Sequence, residues 1–102
     1  MIIQSDIIIK ELNIVETNIA TNYPFSLVVW NDELNTFEWV IESLMDVCHH
    51  TEEQAEQCAM LIHFQGKYAV KNGEYGTLKI MRDAITERSI NATIEAVANS
   101  KI

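Results

Sequence analysis

Asn31, Asp32 and Glu33 fall in the stretch VVWNDELNTFEWVIESL, residues 28–44, between an apolar run and the start of a helical pattern. Paired carboxylates do general acid and base work when their pKa values are driven apart. Neighbours in sequence need not face one another, however, and acids ahead of a helix also complement its dipole. His63 adds a third kind of group, because its helix begins some residues later and can carry the imidazole back toward the same place. A carboxylate, an amide oxygen and an imidazole converging on one spot suit a primary ammonium group, which brings three donors and a positive charge. That chemistry is recognition. A hydrolase using Asp32, Glu33 and His63 would also need a nucleophile and an oxyanion hole, and the chain presents no recognisable set.

Other chemistries find less support. Cys48, His49, His50, Cys58 and His63 are the residue types that bind zinc. Cys58 and His63 are five apart on one predicted helix, which turns them about 140° from each other. Cys58 reads better as a small core residue, with His49 and His50 exposed at a helix end. No glycine-rich phosphate loop, HExxH pattern or GxSxG elbow occurs, and three glycines in the whole chain make a phosphate cradle improbable. No cofactor is expected.

The bulk properties bound the partners. With 15 acidic residues against 7 Lys and Arg, the formal charge is −8, a field that repels nucleic acid. No run approaches the roughly 18 apolar residues of a membrane helix, so no membrane partner is expected either. The first residues, MIIQSDIIIKELNIVE, lack the cationic segment and long apolar run of a signal peptide, and the expectation is a reduced, cytoplasmic protein. A chain of 102 residues holds one small domain.

The elements that must position these groups follow from periodicity. Residues 1–24 form a separate N-terminal extension, either a flexible arm or an added edge strand, and residues 25–102 form the domain. Phe25–Trp30, FSLVVW, reads as a buried strand. Asn35 with Glu38 resembles a capping box, after which Phe37, Val40, Ile41, Leu44 and Val47 keep helical spacing to about Cys48. Thr51 and Gln54 repeat the pattern for a second helix to roughly Phe64, with Ala55, Cys58, Ala59 and Ile62 inward and Gly66 as the stop. Lys67–Lys71 reads as a strand and Asn72-Gly73 as a turn. Leu78, Met81 and Ile85 space a third helix ending near Arg88, and residues 91–97 a last strand. Strand, helix, helix, strand, helix, strand favours an α+β domain, a small sheet covered by helices.

In this order the residues resemble the ClpS family, adaptors that deliver proteins with destabilising N-terminal residues to an AAA+ Clp unfoldase and its peptidase. VVWNDE is similar to the family's strand and Asn-Asp-acidic motif, FEWVIESL to the helix that follows, and AEQCAMLIHFQGK to its second helix with a His-aromatic-x-Gly-Lys ending. With the last strand, the resemblance covers about Pro24 to Val97. It implies a three-stranded antiparallel sheet packed against three helices, and a non-catalytic adaptor. Asn31, Asp32 and His63 would hold the free α-amino group of a substrate. Asn35 and Glu33 would make peptide-backbone or loop contacts. Phe37, at the family's methionine gate, would line a side-chain pocket with Val40, Ala59, Ile62 and Ile90. The implied partners are proteins beginning with Leu, Phe, Tyr or Trp and the N-terminal domain of an unfoldase of the ClpA or ClpC type. An interaction domain of the same fold that modulates the unfoldase without reading N-termini is the alternative.

Overall fold

The computed structural model describes residues 23–97. The expected N-terminal extension, apart from Tyr23 and Pro24, and the tail after Val97 lie outside the described residues. Six elements follow in chain order: β1 (Phe25–Trp30), α1 (Phe37–Cys48), α2 (Glu52–Gln65), β2 (Lys67–Gly73), α3 (Tyr75–Glu87) and β3 (Ala92–Ala96). The strands form one antiparallel sheet in the order β2-β1-β3, so β1 is central. This is the α+β architecture expected.

β2 and β3 both run antiparallel to β1 on its two sides, and α3 must cross over β1 to join them. The helices cover the face that carries Leu27 and Val29, both fully buried with Leu44, Cys48, Leu78 and Ile85. Opposite Leu27 and Val28 the β2 register jumps from Lys71 to Ala69, and the extra residue, Val70, is buried in the same core. A bulge of this kind bends the strand and re-aims a side chain, here inward.

Local chemistry explains the helix ends. Thr51 accepts from the Gln54 amide at 3.1 Å and the Gln54 side chain accepts from the Thr51 amide at 3.0 Å, so the capping box expected there is complete. Gly66 stops α2 at φ 90°, a left-handed conformation that glycine adopts without strain. α1 departs from expectation by one residue: its cap is Thr36, which accepts from the Trp39 amide at 3.0 Å, and Asn35 is engaged elsewhere. Asn72-Gly73 is not a turn. Both residues continue β2, opposite Ser26 and Phe25, and Glu74 opens α3 directly.

His50 also corrects the sequence reading. It is half-buried, and its Nε2 donates to the Val70 carbonyl at 3.0 Å across the turn between α1 and α2. Arg88 clasps α1 to the end of α3: its Nη1 donates to Ser43 Oγ and Asp46 Oδ2, each at 3.3 Å, and its carbonyl accepts from Trp39 Nε1 at 3.0 Å. Ser43 is fully buried, so this bond satisfies a hydroxyl that would otherwise be costly in the core. No helix among the described residues is long and apolar enough to cross a membrane.

Candidate functional site

The central strand ends where three connections meet. The Trp30 amide donates to the Asn91 carbonyl and the Asn31 amide to the Gly66 carbonyl, each at 2.9 Å, so the β1–α1 loop leaves the sheet pinned to the segments before β3 and β2. Gly66 also ends α2, three residues beyond His63, which places the imidazole beside that loop. The chain thus brings residues 31–37, the end of α2 and the α3–β3 connection around one cavity of about 350 Å³. That is near the lower end of the range for small-molecule pockets, roughly 300–1,000 Å³.

Asp32 organises the loop. Its Oδ1 accepts from the backbone amides of Leu34 and Asn35, each at 2.9 Å, and its Oδ2 accepts from Asn35 Nδ2 at 2.8 Å. The Asn35 amide and its neighbours hold the Asp32 carboxyl below the usual carboxylate range, against the partial desolvation that opposes them. The carboxylate is therefore charged and oriented with no ligand needed. Asn35 uses the other hydrogen of Nδ2 on the Ser89 carbonyl, also 2.8 Å, and so bridges the β1–α1 loop to the α3–β3 connection. Its amide makes loop contacts, which is why it does not cap α1.

The cavity has a polar mouth and an apolar interior. Asn31, Asp32, Glu33, Asn35 and His63 line the mouth. Ala59, Ile62 and Ile90, each no more than 3% exposed, line the interior with Val40. Ala59 and Ile62 reach it because they lie three apart on the buried side of α2, and Val40 because it lies on α1 one turn after Phe37. Phe37 stands at the edge, 41% exposed, with its ring edge-on to His63 at 6.2 Å between centroids. The space beside it is open.

All ten residues singled out from the sequence line this one cavity. Two further lining residues, Trp30 and Thr36, were not singled out. Trp30 is held by Nε1 donating to Thr93 Oγ1 at 2.9 Å and by the Lys67 ammonium 4.7 Å from its ring. Thr36 had a local signal, a hydroxyl directly before a helical pattern; Trp30 had none beyond ending a strand. A charged amine can be met at the mouth by a fixed carboxylate, while the interior offers only hydrocarbon. Among the described residues no three His, Cys, Asp or Glu side chains are grouped as metal ligands would be. Burial pushes the Cys48 thiol up to about 11, although Lys71 opposes the shift, so that thiol stays protonated.

Comparison with known proteins gives the geometry a context. Residues 20–94 match the family described as ATP-dependent Clp protease adaptor protein ClpS. The ATP-dependent Clp protease adapter protein ClpS of Corynebacterium aurimucosum is 32% identical over 62 residues, 59% of this chain and 56% of its own length. The protein of that name from Campylobacter jejuni (strain RM1221) is 30% identical over 57 residues, 56% of this chain and 59% of its own length. The match thus spans little more than half the length of these relatives. Among solved structures, Agrobacterium tumefaciens ClpS2 bound to L-phenylalaninamide superimposes with a TM-score of 0.62 over 74% of this chain and 98% of that one. Sequence identity there is 19%, and the likeness is one of fold.

Proposed function

The chain belongs to the ClpS family of Clp protease adaptors, and from that premise we propose that it is a non-catalytic adaptor that captures proteins by a free, large apolar N-terminal residue and brings them to a Clp unfoldase and its peptidase. One observation carries the reading: a single cavity joins the oriented Asp32 carboxylate, Asn31 and His63 at its mouth to an interior of Val40, Ala59, Ile62 and Ile90. In this reading the α-ammonium group donates to the mouth and the first side chain fills the interior. The ligand named for the similar solved structure, L-phenylalaninamide, combines the same two features.

The two halves of the cavity divide the work. Burying a Leu, Phe, Tyr or Trp side chain contributes on the order of 2 to 3 kcal/mol, which favours large residues but is weak alone. The amine supplies discrimination against internal segments. Acetylating it removes its charge and donors and strands polar groups at the mouth, at about 1 to 3 kcal/mol for each one left buried and unsatisfied.

Fluorescence anisotropy of labelled peptides beginning with Leu, Phe, Tyr or Trp tests this directly. Binding should weaken at least about tenfold on acetylation of the α-amine, and again in Asp32→Ala, consistent with loss of a charge-assisted contact. If no free-amine peptide binds while the protein still associates with a Clp unfoldase, the modulatory alternative replaces the adaptor reading.

A further inference from the structure

The end of β1 is clamped on the side of the sheet away from the three helices. Alternation along the strand sends Trp30 to the face opposite Val29. There its Nε1 donates to Thr93 Oγ1 of β3 at 2.9 Å, while Lys67 of β2 sets its ammonium 4.7 Å from the ring centroid. The same ammonium lies 3.5 Å from Glu95 Oε2 on β3. One indole therefore ties the central strand to both neighbours, by a hydrogen bond on one side and a cation over its face on the other.

The place of this clamp gives it a role beyond holding strands together. Trp30 directly precedes Asn31, and the strands it joins begin directly after the two carbonyls that hold the mouth loop. The Trp30 amide donates to the Asn91 carbonyl, just before β3, and the Asn31 amide to the Gly66 carbonyl, just before β2. The two mouth residues depend on this frame differently. Asp32 is oriented by Leu34 and Asn35 inside its own loop, so its carboxylate keeps its geometry when the strand end shifts. Asn31 is held through its backbone, so its side chain goes where the end of β1 goes. A binding group must be kept within about 0.5 Å of its productive position by the residues behind it, and behind Asn31 stands Trp30.

We propose that Trp30 is a positioning residue for the ammonium site, acting through Asn31, with Thr93 and Lys67 as its supports. The proposal rests on reading the first cavity as the N-terminal residue site. Trp30 also lines that cavity, but its N–H is committed to Thr93 and a ring face to Lys67. What it contributes to the bound amine is the placement of its neighbour.

Anisotropy of a labelled peptide beginning with Phe, measured on Trp30→Val, Asn31→Ala and the double variant, tests the proposal; valine keeps the strand propensity. Each single variant should weaken the free-amine peptide roughly three- to tenfold, the range expected for one hydrogen bond to a charged group. The double variant should bind within about twofold of Asn31→Ala, because two residues that act as one unit are not additive. In the Asp32→Ala background Trp30→Val should keep its full effect. A general loosening of the domain would instead weaken binding by the same factor in all three backgrounds. Thr93→Val removes the acceptor and leaves the ring, and should weaken the peptide at least about twofold, again with no further loss in Asn31→Ala. It carries the same test if the urea midpoint shows Trp30→Val to be unfolded. Parent-like affinity in both Trp30→Val and Thr93→Val would overturn this proposal alone, and so would an effect of either that is undiminished in Asn31→Ala. Failure of the parent protein to bind any free-amine peptide would overturn the first-cavity reading, and this proposal with it.

Discussion

Asp32 commits its carboxylate to its own loop before any ligand arrives, and Asn35 is the residue that makes this a tertiary matter. Without Asn35 Nδ2, Asp32 Oδ2 loses its 2.8 Å donor and the Ser89 carbonyl loses its own, while the two backbone amides still hold Oδ1. Asn35→Ala is therefore expected to cost about 1 to 2 kcal/mol of stability, the net worth of two partly exposed hydrogen bonds. It should weaken free-amine peptides only several-fold, well short of the loss in Asp32→Ala, because the carboxylate remains but turns more freely. Urea denaturation and anisotropy on the same preparations check both numbers, and an Asn35→Ala protein that binds as weakly as Asp32→Ala would show that the amide touches the ligand. The type of each residue made Asn31, Asp32 and His63 legible as a possible ammonium site. Nothing in their types shows that Asn35 reaches Ser89, 54 positions away, because that contact exists only after the fold closes.

Where periodicity and capping agree, the elements are legible: β1 has the expected bounds, and Thr51, Gln54 and Gly66 delimit α2. The misreadings arise where two local signals compete or where packing overrides one. Asn35 and Thr36 are both capable caps, and Thr36 takes the position because the Asn35 amide is drawn into the loop. Asn72-Gly73 carries a turn signal, yet β1 supplies strand partners for both residues and the Leu78 side chain packs 3.5 Å from where a Gly73 Cβ would stand. The turn between α1 and α2 conceals His50 in the same way, since its burial depends on Val70 from the β2 bulge. Desolvation lowers the His50 pKa from 6.5, the Val70 contact opposes this, and Lys71 adds to it. The unfolded chain therefore takes up a proton at a higher pH than the folded one, so stability is full above about pH 6.5 and falls as pH drops toward the lower folded value. His50→Gln should flatten that slope below about pH 6.5 in urea titrations. An unchanged slope in the variant would assign the effect to other groups.

At the scale of the whole molecule, charge is the property that stands furthest from balance. A formal charge of −8 on 102 residues makes the compact state repel itself, and the four ion pairs among the described residues offer little relief because each has a partner at least 42% exposed. The stability of the sheet and its helices rests instead on the buried cluster around Leu27, Val29, Leu44, Leu78 and Ile85, which salt does not weaken. Added salt should consequently screen more repulsion than attraction. Raising NaCl from about 20 to 300 mM shortens the Debye length from about 20 Å to about 6 Å, within the diameter of a domain this size. Folding stability is expected to rise by up to about 1 kcal/mol, read as a higher urea midpoint at unchanged m. A midpoint that falls with salt would mean that exposed ion pairs contribute more to this fold than the apolar core leaves room for, and that the acidic surface is compensated within the chain.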